Sequence, residues 1–372
     1  MSVLESVASD PWNVARVIAS CDLSPDAKPI TRPASSEWAR LLSLMSEQRL
    51  CGVALRAVES GILDLSERQY DELIFQHEMQ LALDLRIERL VLACFDRLSQ
   101  SGIDARLLKG PAISHRFYDD PALRSFGDAD ILVPRADFRV ALDVIATIGF
   151  SRKTQLPRTW FDRYVKAACL IATDGLEVDV HQMVTPGPYG VTIEPDDLFR
   201  EPPDHVMIGR HSIACLRPEM AFVHACVHAA LGDPSPRLVS LRDVVAIQRG
   251  GLDEEAVRER VRTWQLEAVV ARALRLAESI LDVRAEGLIA DHYRSYRPSR
   301  RDKWRLSCYD ARGSRFPRQS AATLWELASL KDKAAYALAL ALPDRSYLRA
   351  RGSTYSQRVR YSVTLTRASR PK

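Results

Sequence analysis

The stretch LLKGPAISHRFYDDPALRSFGDADILVPRADF, residues 107–138, is where the fold of this chain is decided. Within it FGDADILV reads as a buried strand, yet Asp128 and Asp130 stand two residues apart inside that strand. Side chains at i and i+2 of a strand share a face, so both acids are expected to project together while Ala129 and Ile131 face the core. Burying neighbouring carboxylates costs on the order of several kcal/mol per charge unless a cation lies between them. A divalent cation removes that cost, and Mg²⁺ favours a few carboxylates combined with phosphate oxygens and water. The same residues also fit a plainer arrangement, with Asp128 capping the turn after Gly127 and Asp130 paired with Arg124 or Arg135.

Outward from the acids, DARLLK is a short strand candidate, and Lys109-Gly110 ends it at a turn into a helix with Pro111 at its first position. Backbone N–H groups at such a turn attract phosphate and a lysine adds a point charge, although a simple turn has the same residues. Downstream, RADFRVALDVIATIGF predicts an amphipathic helix stopped by Gly149. AACLIAT and LEVDVHQ then predict two strands joined at Asp174-Gly175. LEVDVHQ supplies a third acid, Asp179, with Glu177 and His181 on its face. Three strand-borne carboxylates can hold two metal ions roughly 4 Å apart. These elements make a small α/β unit over residues 102–182.

The flanks read differently. Residues 1–101 are helical: SSEWARLLSLM opens on serines, and 66–99 is unbroken by Gly or Pro, with Leu83, Ile87, Leu90, Val91, Cys94 and Leu98 on one face. Residues 183–206 are a Pro/Gly-rich loop or lid. Helices resume at Pro218 in a region spanning 207–290, followed by a basic segment, 291–372. The fold class is α+β, a small mixed sheet flanked by N- and C-terminal helical regions.

Composition narrows the function classes. The chain has 372 residues, 47% hydrophobic and 27% charged, as in soluble globular proteins. No apolar run reaches the roughly 20 residues of a membrane span, and MSVLESVASDPWN lacks an export signal. Seven scattered cysteines without a CxxC pair suit reduced thiols and a cytoplasmic location. The net charge of +4 is uneven: 292–318 holds nine Arg or Lys against two Asp, and 345–372 holds eight and no acid. Such a segment either meets a polyanion such as RNA, with Tyr293, Tyr296, Trp304, Tyr347, Tyr355 and Tyr361 available for stacking, or folds back on the acidic body. The fold-back is preferred. G-x-G-x-x-G, Walker and G-x-S-x-G motifs are absent, which leaves dinucleotide, P-loop and hydrolase readings without support. His224 and His228 have the i, i+4 spacing of zinc ligands but no H-E-x-x-H. His181 is placed to orient Asp179 or act as a base, and Arg242-Asp243 to join two helices near the cleft.

The order LLKG, FYDDPALRSFGDADILV, IGF, LEVDVHQ, FVHACVHAA, LRDVVAI resembles a family of uncharacterised bacterial nucleotidyltransferases in the DNA polymerase β-like superfamily, some of them encoded beside lasso-peptide and other natural-product enzymes. The resemblance runs to about residue 285. It implies a two-metal Mg²⁺ site at Asp128, Asp130 and Asp179, with Asp179 serving the attacking hydroxyl, and an NTP co-substrate whose phosphates meet Lys109, Gly110 and Arg124. Pro111 stands where the superfamily has a serine after the glycine. The expected reaction is transfer of a nucleoside monophosphate to a hydroxyl or phosphate of a small molecule or peptide. A toxin-type RNA- or tRNA-modifying enzyme and a catalytically silent nucleotide- or peptide-binding module are the alternatives.

Overall fold

Among the described residues four helices precede the sheet: α1 (Pro11–Ala19), α2 (Ser35–Glu47), α3 (Cys51–Glu59) and α4 (Glu67–Gln100). The computed structural model describes residues 10–24, 29–153, 164–233, 235–310 and 315–341. The start of α4 follows from local chemistry. Ser66 Oγ accepts the Gln69 N–H at 3.3 Å while Gln69 Oε1 accepts the Ser66 N–H at 2.9 Å, a reciprocal cap. The serines that open α2 do not cap it; its N-cap is Ala34, which gives no side-chain bond.

The middle of the chain alternates as β1 (Arg106–Leu107), α5 (Pro111–Phe117), β2 (Ala129–Leu132), α6 (Phe138–Ala146), β3 (Phe150–Arg152), β4 (Ala167–Ala172), β5 (Glu177–His181), α7 (Asp197–Arg200), β6 (Asp204–Ile208) and β7 (His211–Cys215). The strands form one seven-stranded sheet in the order β3-β4-β5-β2-β1-β7-β6. It is mixed: β2 runs parallel to β5 and β1 to β7, and the other pairs are antiparallel. The hairpin β4–β5 turns at Asp174-Gly175, where Gly175 has φ +86° and a residue without Cβ is needed. The sheet continues beyond residue 182 through β6 and β7, which lie in sequence read as loop and helix. The alternation of Val206, Ile208 and Ile213 about Gly209 was the available signal.

Eight helices follow: α8 (Pro218–Val227), α9 (Leu238–Arg249), α10 (Glu254–Thr263), α11 (Glu267–Leu281), α12 (Leu288–Ser295), α13 (Arg300–Ser307), α14 (Phe316–Glu326) and α15 (Leu330–Ala341). Two apolar cores result. Ile87, Val91, Cys94 and Leu98 of α4 and the buried face of α6 pack with Ala129, Ile131, Val178 and Val180 of the sheet. Leu132 and the N- and C-terminal helices form the other core. The strand period of two therefore sends Asp130, Asp179 and His181 away from the first core. All seven cysteines are free thiols, and among the described residues no helix is long and apolar enough to cross a membrane.

Candidate active site

Two neighbouring strands bring the acids together. Asp130 of β2 and Asp179 of β5 are Cα partners in the parallel ladder. One ligand atom each from Asp130, Asp179 and His181 lies within 4.8 Å of the others. Asp130 is 2% exposed, and its two oxygens face different partners: Oδ1 meets His181 Nε2 at 2.8 Å and Oδ2 meets Lys109 Nζ at 3.0 Å. Burial alone raises a carboxyl pKa, but the Lys109 charge, followed by His181, outweighs it and holds Asp130 well below the usual range. Burial works against the Lys109 ammonium too; Asp130 and then Asp128 keep its pKa raised. Neither Arg124 nor Arg135 is the partner of Asp130. His181 meets Asp130 rather than serving Asp179 alone.

Asp128 stands outside this compact group, because β2 begins at Ala129 and the rule that aligns i with i+2 does not reach it. It is partly exposed at the mouth of the strand, and its charge acts on both Lys109 and Arg49. Gly110 has φ +62°, a region that disfavours any side chain, so the turn after β1 requires glycine. The Gly110 carbonyl accepts the Ile113 and Ser114 N–H groups at 3.1 Å each.

Arg124 forks onto Asp243 of α9, with Nε–Oδ1 at 3.2 Å and Nη2–Oδ2 at 2.7 Å, and Tyr118 donates to the same Oδ1 at 2.9 Å. All three side chains are buried. The arginine read as a phosphate ligand thus ties the loop before the acids to a helix. Arg242 donates to the Ala19 and Cys21 carbonyls after α1, a separate helix–helix contact.

Three further residues hold residues 124–128 in place, and the sequence reading passed over them. Asp84 of α4 accepts the Phe126 N–H at 2.9 Å, and Ser125 donates to Gln80 at 3.1 Å. Burial pushes the Asp84 carboxyl up to about 7, against the pull of the Phe126 N–H and of Arg49 and Arg124. Asp84 lies in the buried stripe with Ile87 and Val91, and a carboxylate within an apolar stripe was the signal. Arg49 follows α2 with φ +58°. Its N–H bonds Ser46 O while the Leu50 N–H bonds Met45 O, a helix end that glycine ordinarily occupies. Holding a non-glycine residue there costs about 1 kcal/mol. The guanidinium packs against Gly127, where a Cβ would stand 2.3 Å from Nη2.

His224 and His228 join no group of three metal ligands among the described residues. Burial, then Lys109, hold His224 down to about 3 and His228 well below the ordinary histidine value. Both are therefore neutral.

With two carboxylates and a histidine assembled on a mixed sheet, the chain also matches in sequence, over residues 34–282, the family described as uncharacterised nucleotidyltransferase. The chain belongs to that family. No curated protein matches it. Among solved structures, an antigenic nucleotidyltransferase-like protein from Paracoccidioides brasiliensis is similar at 16% identity and a TM-score of 0.34, covering 56% of this chain and 96% of that one. The antibiotic-resistance factor ANT(2'')-Ia is similar at 14% identity and a TM-score of 0.31, covering 54% and 96%.

The nucleotidyltransferase match spans α2 to α11 and leaves α12–α15 outside. Those added helices act on the loop read as a lid. Tyr309 donates to Pro186 O at 2.6 Å and accepts the Tyr189 N–H at 3.3 Å, and Arg305 donates to Thr192 at 3.2 Å with its guanidinium 4.0 Å from the Tyr189 ring centre. Several ion pairs form here: Arg294 meets Glu278 and Asp291, Arg301 meets Glu326, and Arg272 of α11 meets Asp310. Residues 292–310 thus fold back on the body. Arg345 to Lys372, with Tyr347, Tyr355 and Tyr361, lie outside the described residues.

Proposed function

We propose that the protein is a Mg²⁺-dependent nucleotidyltransferase that moves a nucleoside monophosphate from an NTP to a hydroxyl or phosphate of a small molecule or peptide. The register of Asp130 against Asp179 carries the reading. Adjacent strands present two carboxylates toward one point, and only a lysine now balances the buried one. The donor set fits a hard cation on its oxygen side, with Asp130 and Asp179 as ligands, Asp128 as the outer carboxylate and His181 holding Asp130. Such ions polarise phosphoryl oxygens and lower the pKa of an attacking hydroxyl.

The side chains of the chain itself have distinct tasks in this reading. Lys109 stands on Asp130 until a stronger cation takes its place, and its ammonium is then close enough to meet phosphate at the Lys109-Gly110 turn. Arg124 contributes by fixing the Asp128 loop through Asp243. Lys166, whose pKa burial lowers, adds positive charge on the same side of the sheet. Asp179, the more accessible acid, is nearest the acceptor.

The test is transfer of label from α-³²P NTPs with Mg²⁺ to small hydroxylated and phosphorylated acceptors and to peptides, with wild type beside Asp130→Asn. Label transfer that disappears in the variant is expected. Folded wild type that neither transfers label nor binds any Mg·NTP would sink the reading. A second reading, a nucleotide- or peptide-binding module without turnover, is favoured by one observation: both Asp130 oxygens already have protein partners, Lys109 and His181. Mg·NTP binding with no transfer to any acceptor is its signature. A toxin-type enzyme acting on RNA gains less support, since Arg294, Arg301 and Arg305 pair with acids.

A further inference from the structure

Beside Phe126, in the loop before β2, lies a cavity of about 590 Å³. Ser46 and Glu47 at the end of α2, Gln48 and Arg49 just after it, Gln76 and Gln80 of α4, and Arg237 before α9 supply its polar wall, two arginines against one carboxylate. Met79, Leu83 and Phe126 supply an apolar one. A volume of this size suits a small organic ligand, and guanidinium groups beside amide donors suit an anionic group upon it.

Arg49 sets this cavity apart from an ordinary polar cleft. The helix end gives Arg49 the left-handed conformation that glycine usually takes, and the lack of a Cβ at Gly127 makes room for its head group. Two backbone concessions thus hold one guanidinium at the wall. Among the described residues no carboxylate lies within ion-pair distance, 4.0 Å, of it, and Arg237 has only Asp233 at 3.7 Å. Phe126 joins this cavity to the Lys109-Gly110 turn, since a Cβ on Gly110 would stand 3.5 Å from its ring, and the Asp128 charge acts on both Arg49 and Lys109.

Resting on the transferase reading, we infer that this cavity is the acceptor site and that the acceptor is a small molecule bearing a phosphate or carboxylate group held by Arg49 and Arg237. The nucleotide's phosphates then belong to Lys109 and Lys166, beyond Asp128. The division is electrostatic as well as spatial: each anion has its own pair of cations, and the acids lie between them.

Methionine methyl groups make both sides visible. The chain has six methionines. Met79 lines the cavity, and the Met183 N–H bonds Lys166 O at 3.2 Å on the nucleotide side. In protein labelled at the ¹³C-methyl of methionine, titration with inorganic phosphate and, separately, malonate is expected to shift Met79 saturably; whichever anion binds more tightly tells phosphate from carboxylate. Arg49→Gly, which removes the guanidinium and relaxes the backbone, should weaken that titration at least tenfold in folded protein, and Arg237→Gln, which leaves the Arg49–Gly127 contact in place, should weaken it as well. Mg·ATP should move Met183 in wild type and in Arg49→Gly alike. A Met79 signal that ignores both anions, or that responds in both variants as strongly as in wild type, overturns the inference. So does Mg·ATP binding at Met79 that is lost in Arg49→Gly, which would make the cavity the nucleotide's. Anion-dependent Met79 shifts with no response to any Mg·NTP would leave the anion site standing and remove the transferase reading instead.

Discussion

Strands β2 and β5 have two faces made from alternate residues, and the two could hardly differ more. Ala129, Ile131, Val178 and Val180 meet the apolar stripe of α4, with no solvent exposure at any of the four. Asp130, Asp179 and His181 project the other way into a cluster of charges. One backbone serves both, so the dry face fixes the register that sets the acids opposite each other. A slip of one residue would send the carboxylates into the core. The comparison teaches that the packing face specifies the geometry while the polar face holds the cost, a buried carboxylate balanced by Lys109.

The comparison breaks most sharply at Asp179. Asp179→Asn is expected to fold normally, keep NTP affinity and lose roughly 10³-fold in transfer rate, about 4 kcal/mol of barrier. Steady-state kinetics and NTP titration check it, and unchanged turnover with a lowered Tm would assign Asp179 a structural role. Next in size is Lys109→Met, which leaves Asp130 buried without its ammonium. We expect a loss of about 3 kcal/mol, the low end for breaking a buried pair, because Lys109 is 19% exposed. Mg²⁺ should restore more of that stability than it adds to wild type in thermal melts.

On the dry face, Ile131→Ala should cost about 2.5 kcal/mol in urea unfolding while turnover per folded molecule stays near wild type. A large kinetic effect there would show that the two faces are not separable. The smallest effect belongs to Asp84. Its folded pKa of about 7 lies above the ordinary carboxyl value, so its contribution to stability is full below that value and is lost as pH rises toward 7. Asp84→Asn keeps an acceptor for the Phe126 N–H and should flatten that decline, which amounts to at most about 1.4 kcal/mol per pH unit. Urea midpoints between pH 4 and 8 measure the difference in slope.

Much of this was legible beforehand. Period-two alternation located β2 and β5, the unbroken apolar stripe located α4, and Asp174-Gly175 located the hairpin. Asp130, Asp179 and His181 came out as neighbours because strand pairing follows the same alternation. Asp128 did not, since one residue decides whether a side chain obeys the ladder and strand ends are not written in composition. Arg124 could be read as available because its partner Asp243 is 119 residues away, a separation local pattern does not span. Arg49 and Gln80 were invisible for the same reason: each acts through contacts between α2, α4 and the loop before β2, and none of those contacts has a periodic signature.

The tether of Tyr309 to Pro186 reaches across 123 residues of chain. Closing so long a loop carries an entropic cost that grows slowly with length, and a contact of this span forms late relative to hairpins and helices. During synthesis the sheet and its acids emerge first, while the segment around Tyr189 must wait for Arg305 and Tyr309 to leave the ribosome. The order of assembly is thereby written into the chain: the acid-bearing strands can pair before the cover beside them is fastened, and the later helices complete what the first ones began.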